Sequence, residues 1–166
     1  IFGDHQLRTM IKDPSASTLL ITGGAGFVGS SFALHWKARH PGSTVIALDN
    51  LKRRGSELNL PRLKNAGIQF VHGDVRDAAD LRTLPRIDAL VECSAEPSVL
   101  AGYSGGADYV VNTNLVGTIN CLELVARDKA DLVFLSTSRV YPIAAINDMC
   151  TRNERGFLID PNTRVP

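Results

Sequence analysis

Leu19-Leu20-Ile21-Thr22-Gly23-Gly24-Ala25-Gly26-Phe27-Val28-Gly29 decides how the rest of the 166 residues are read. Three apolar residues in a row make a short buried strand, and Gly23, Gly26 and Gly29 then recur at every third position. Val28, Phe32 and Trp36 follow four apart, the spacing of one helix face. Strand, glycine turn and helix in immediate succession form a cradle for the diphosphate of a dinucleotide. Gly23 lets the chain reverse, Gly26 lets backbone approach the diphosphate, and Gly29 lets the helix lie close to the strand. The helix start then offers unsatisfied N–H groups and the positive end of its dipole, and Phe27 and Val28 stand in that first turn.

A second apolar run, Thr44 to Leu48, ends in Asp49, twenty residues beyond Gly29. A carboxylate there accepts hydrogen bonds from the adenosine ribose hydroxyls. The neighbouring Lys52-Arg53-Arg54 reads either as a solvated loop or as a clamp on a ribose 2′-phosphate. Asp49 would repel that phosphate, so the expected cofactor is NAD, not NADP.

Further along, apolar runs and turn signals alternate. The spacing predicts a helix from about Phe27 to His40, stopped by Pro41-Gly42, and a short helix over 58–66 with Pro61 in its first turn and Gly67 at its end. Strands are expected at Ile68–His72, Ile87–Val91 and Asp131–Ser136, with Asp77 as the cap of an intervening helix. A long helix is expected from about Asp108 to Asp128, with the apolar positions Val111, Leu115, Leu122 and Val125 tracking one face. The fold class is therefore α/β, a Rossmann-type doubly wound parallel sheet truncated after about five strands. Thr22, Asp49, Asp74, Ser94 and Thr137 would share its carboxyl edge, where ligands bind in such sheets. Residues 1–17 read as a flexible leader, 18–141 as the NAD-binding domain, and 142–166 as a loop without clear period leading toward a missing catalytic portion.

Composition narrows the function classes. Charged residues make up 21% and apolar residues 44%, as in a globular protein, and a net charge of +1 gives no electrostatic basis for binding nucleic acid or an anionic membrane. No apolar run reaches the length needed to span a bilayer. Cys93, Cys121 and Cys150 are odd in number and widely spaced, which argues for a reducing, cytoplasmic setting and against a structural zinc site. The histidines show no metal-ligand spacing, and Ser136 and Ser138 lack the flanking glycines of a hydrolase nucleophile.

Thr22–Gly29, Asp49-Asn50-Leu51, His72–Asp77, Asn114–Thr118 and Ser136–Tyr141 resemble, in order, motifs of the extended short-chain dehydrogenase/reductase family, the NAD-dependent sugar epimerases and dehydratases. Within it, the stretches Leu48–Glu57 and Ser136–Tyr141 are most similar to the CDP-paratose 2-epimerase group. The resemblance implies a nucleotide-sugar substrate and a hydride taken from a sugar carbinol carbon and later returned. It also implies a tyrosine base in a Y-x-x-x-K pair. Tyrosine has an ordinary pKa of ~10, so such a base needs a nearby positive charge. Carried over residue by residue, it gives Thr137 a hydrogen bond to the reacting hydroxyl and puts Asn50 beside Asp49 in the cofactor site. Asp74 and Val75 fall on the adenine side, and Ser94 and Ala95 on the nicotinamide side. Asn114 is either a tolerated polar residue in mid-helix or a support behind the catalytic pair. The family often pairs subunits through two helices, one resembling 108–128 here and one missing, so a homodimer is expected of the parent protein.

Two departures matter. Tyr103, Tyr109 and Tyr141 are followed four residues on by Ala107, Thr113 and Ala145, so none begins Y-x-x-x-K. Pro142 replaces a usual glycine, and Glu92-Cys93-Ser94-Ala95-Glu96 replaces a His-x-Ala-Ala-Gln type of run. The chain is thus expected to bind cofactor without turning over. A non-catalytic dinucleotide-binding module and an NADP-dependent reductase of the same superfamily are the rival readings.

Overall fold

The computed structural model describes residues 13–98, 100–103, 106–137, 143–154 and 156–159. Gly105, the motif residues 138–141, Pro142 and most of the expected leader lie outside them. The described chain divides into two units, 1–135 and 136–166.

In the first unit, β1 (Thr18–Thr22) lies between β2 (Thr44–Asp49) and β4 (Ala89–Glu92). With β3 (Gln69–His72) and β5 (Asp131–Phe134) outside them, the sheet order is β3-β2-β1-β4-β5, every pairing parallel. A parallel sheet must be covered on both faces, and the alternation of side chains along its strands divides the core accordingly. Leu19 and Ile21, with Val45, Ala47 and Val91, feed one layer, beneath α1 (Phe27–Arg39) and α2 (Leu60–Asn65). Leu20, with Ile46, Leu48 and Leu90, feeds the other, beneath α3 (Ala78–Arg82) and the helix ending at Asp128. Leu19, Leu20 and Ile21 are fully buried, about 2 kcal/mol of transfer free energy each. Asp77 caps α3 by accepting from the Ala79 N–H at 2.8 Å, as its position in the sequence predicts.

Two helix faces differ from the expected ones. On α1 the buried residues are Gly29, Ser30, Ala33 and Trp36, while Val28 is half-exposed and Phe32 stacks on Trp36 with centroids 6.2 Å apart. The helix over 108–128 is not one regular element. It comprises α4 (Asp108–Val111), a π-helical segment Asn112–Val116 and α5 (Gly117–Asp128). Its inward positions are Thr113, Gly117, Cys121, Leu124 and Asp128. Of the apolar row grouped on one face, Val111, Leu115 and Leu122 are 47%, 57% and 46% exposed, and only Val125 packs against the core. Small residues on each docking face let the helix approach the sheet, with Trp36 on α1 and Leu124 on α5 buried beside them.

The second unit carries α6 (Ile143–Met149) and an antiparallel pair, β6 (Cys150–Asn153) with β7 (Gly156–Ile159), where the sequence reads as a loop. The polar run Arg152-Asn153-Glu154-Arg155 hides the alternation that would have revealed the strands. No helix among the described residues is long and apolar enough to cross a membrane.

Candidate functional site

The strand order reverses between β1 and β4, where the chain crosses from one face of the sheet to the other. A crevice opens at such a point, outside the carboxyl ends of the strands. Here it is a cleft of about 530 Å³ lined by the glycine turn, the first turn of α1 and the segments that follow β2, β3 and β4.

The glycine turn is held from several sides. The Gly24 N–H donates to the Leu48 carbonyl at 3.0 Å, tying the turn to the end of β2. Gly23 has φ +61°, and a Cβ there would lie 2.8 Å from the Cys93 carbonyl oxygen, so both conformation and space require glycine. A Cβ on Gly29 would collide with the Gly23 carbonyl, which is why α1 can begin so close to the turn. Gly26 is the N-cap residue of α1 and provides no side-chain cap, and no acidic residue occupies the first turn. The first-turn amides, which have no acceptor within the helix, are therefore available to an anion. Phe27 (85% exposed) and Val28 (49% exposed) stand at the same mouth and line the cleft.

Asp49 is buried at the end of β2. One carboxylate oxygen accepts from the Ala25 N–H at 3.1 Å and the other from the Leu51 N–H at 2.8 Å. Each oxygen keeps a further lone pair for a ligand hydroxyl. Asn50 donates to Asp74 at 2.8 Å, joining the segments after β2 and β3. Arg76 grips the same carboxylate with two bonds, at 2.9 and 2.6 Å. Its guanidinium holds Asp74 well below the usual carboxylate range, against the opposing effect of burial. Asp74 is thus spent on organising the rim, and Val75 supplies the apolar surface beside it.

All the residues expected to hold the cofactor line the cleft except Asn114. Both ends of the Asn114 amide engage the Glu96 backbone, accepting from its N–H at 2.7 Å and donating to its carbonyl at 3.2 Å. Asn114 therefore shapes the segment after β4. Thr137 falls in the second unit, where it is exposed. Ser94 and Ala95 line the cleft. The hydroxyls of Ser94 and Thr113, both at the cleft, are buried and have no hydrogen-bond partner among the described residues. Such atoms mark places where a ligand or water is needed.

Several lining residues were not singled out from the sequence. Thr113 and Tyr109 sit one and five positions before Asn114, on the helix read chiefly for its apolar row. The Tyr109 ring carries Lys52 Nζ at 3.3 Å and the Arg76 guanidinium at 4.8 Å from its centroid. Arg53 reaches Glu96 at 3.8 Å. Two of the three cations after β2 thus contact the helix start and the segment following β4. No cluster of three or more His, Cys, Asp or Glu among the described residues could hold a metal ion.

The family model for the NAD dependent epimerase/dehydratase family matches residues 19–160. The chain belongs to that family. Among curated members, it is 35% identical over 131 residues to dTDP-glucose 4,6-dehydratase of Mycobacterium tuberculosis, covering 78% of this chain and 39% of the relative. It is equally 35% identical over 130 residues to CDP-paratose 2-epimerase of Salmonella typhi, covering 74% and 37%. Among solved structures, dTDP-glucose 4,6-dehydratase of Bacillus anthracis in complex with NAD matches with a TM-score of 0.65 and 26% identity, over 89% of this chain and 45% of that one. The chain thus spans about two fifths of the length of the curated relatives it matches. Over this span, identity alone does not separate the epimerase from the dehydratase members of the NAD-dependent family.

Proposed function

We propose that this chain forms the NAD-binding part of an enzyme that epimerises or dehydrates a nucleotide sugar. The observation that carries the reading is the junction of the glycine turn with α1. Glycine is required by space at Gly23 and Gly29, and the helix opens onto the cleft without cap or acidic residue. The donor set fits a dinucleotide: amides for a diphosphate, Asp49 for ribose hydroxyls, and orphaned hydroxyls at Ser94 and Thr113 for the remote end. When bound, NAD supplies a hydride acceptor that can later return the hydride to the sugar.

The chain's own residues bind and orient. The first-turn amides beside Phe27 and Val28 neutralise the diphosphate, and Asp49 accepts from the adenosine ribose. Asn50, Asp74 and Val75 form the adenine side, and Ser94 and Ala95 the nicotinamide side. Asn114 fixes the Glu96 segment between them. Thr137 hydrogen-bonds the reacting sugar hydroxyl. Because the sequence contains no Y-x-x-x-K, these 166 residues bind cofactor and do not turn over substrate by themselves. The exposed row of Val111, Leu115, Ile119 and Leu122 pairs with a second copy, giving a homodimer. Free cysteines Cys93, Cys121 and Cys150 fit a cytoplasmic location.

NAD is favoured over NADP because Asp49 would face the 2′-phosphate, while Lys52 and Arg53 are engaged by Tyr109 and Glu96. Calorimetry is the test. NAD binds at least tenfold more tightly than NADP, and Asp49→Ala weakens NAD binding by about tenfold, the order of one or two hydrogen bonds to a charged acceptor. The reading falls if neither nucleotide gives heat, or if NADP binds more tightly.

A further inference from the structure

Asn59 closes the 3₁₀ turn Ser56–Asn59 and stands at the N-cap of α2. An asparagine in that position ordinarily turns its side-chain oxygen onto the amides of the helix it precedes. Here it makes no such bond. Its Nδ2 instead donates to the Ala25 carbonyl, 34 positions away in sequence, at 2.8 Å. Its Oδ1 accepts from Arg62 Nη1 at 3.0 Å. A guanidinium only donates and a carbonyl only accepts, so the two partners fix which way the amide faces.

Ala25 is buried at the centre of the glycine turn, and its own N–H is taken by Asp49. The peptide planes on either side of Ala25 are thus pinned from outside the turn, one by Asp49 and the other by Asn59. Gly24 and Gly26 flank this residue, where the backbone has its greatest freedom and its conformation is most costly to fix. The second plane, between Ala25 and Gly26, leads directly into α1. Its orientation sets where the first-turn amides point.

We propose that Asn59 is a positioning residue for the diphosphate-binding turn. It acts through the Ala25 carbonyl and holds the start of α1 in its binding geometry before a ligand arrives. The advantage is preorganisation: a turn already fixed loses no conformational freedom on binding. The inference rests on the reading of the cleft as a dinucleotide site.

The test compares three probes on the protein and its variants: NAD, ADP-ribose and adenosine, of which only the first two carry a diphosphate. Asn59→Ala weakens NAD and ADP-ribose by about tenfold and adenosine by less than twofold. Asn59→Asp, which sets a carboxylate against the Ala25 carbonyl, weakens the first two further. Arg62→Ala leaves the Asn59 donor in place but frees the amide to rotate, and costs two- to threefold; it also serves if the Asn59 variants fold poorly. Hydrogen exchange at 23–29 without ligand speeds up in Asn59→Ala. The proposal is overturned if NAD affinity is unchanged, or if adenosine weakens as much as the other two, which would mark a general structural role. Failure of the unaltered protein to bind NAD or ADP-ribose would overturn the dinucleotide reading itself, a separate outcome.

Discussion

α1 and the helical stretch over 108–128 both bring small residues close to the sheet, yet their outward apolar residues meet different fates. In α1 the small residues Gly29 and Ala33 face inward, and the displaced Phe27 and Val28 line the cleft. In 108–128, Thr113, Gly117 and Cys121 face inward, and Val111, Leu115, Ile119 and Leu122 are left on the outside. On each docking face small residues permit the close approach and one large side chain, Trp36 in α1 and Leu124 in α5, is buried beside them. What is pushed outward then becomes available for another purpose, a ligand in the first case and a second copy in our proposal for the second.

The two contact points differ in what an added methyl would strike, and this gives the sharpest way to break the comparison. At Gly29 the obstacle is backbone, the Gly23 carbonyl and the Gly24 Cα, which cannot yield without opening the glycine turn. Gly29→Ala is expected to destabilise the fold by about 3 kcal/mol and to abolish NAD binding, read by thermal unfolding and calorimetry. The general gain from replacing a helical glycine by alanine, about 1 kcal/mol, is too small to offset that clash. If Gly29→Ala unfolds at the temperature of the unaltered protein, close docking does not govern α1.

At Gly117 the obstacle is a side chain, Val75 Cγ2, at 2.7 Å from an added Cβ. Val75 is buried and stiff at χ1, so its methyl yields only at a cost, but a side chain can shift where backbone cannot, and the helix-propensity gain now matters. Gly117→Ala is expected to cost about 1 kcal/mol, with Gly117→Val costing more. Equal losses at Gly29 and Gly117 would mean that the distinction between backbone and side-chain obstacles carries no weight.

Much of this was legible from the sequence because it depends on local patterns. The strand–glycine–helix unit, Asp49 at the end of β2, the Asp77 cap and the alternation of strands with helices each follow from a few adjacent residues. What was hidden depends on distant partners. The buried faces of both helices are set by what lies across from them, Gly23 in one case and Val75 in the other. The π segment at Asn112–Val116 is signalled by no apolar pattern. Asn59 falls unremarked inside the helix expected over 58–66, and only the folded chain brings it to Ala25. Lys52 and Tyr109 likewise meet only across the cleft.

The smallest expected effect on folding tests the outer row. Leu115 is 57% exposed, so Leu115→Lys removes little buried surface and is expected to change monomer stability by no more than about 0.5 kcal/mol. Its effect on self-association is different. A charge at the centre of an apolar row must lose its hydration when two copies meet, and no acidic residue of the row (Val111, Leu115, Ile119, Leu122) is there to receive it. Sedimentation velocity over a range of concentrations should show the unaltered protein as a dimer and Leu115→Lys as a folded monomer. A concentration-independent monomer in both cases would leave the displaced residues of 108–128 without the role that those of α1 have, and the parallel between the two helices would end at how they dock.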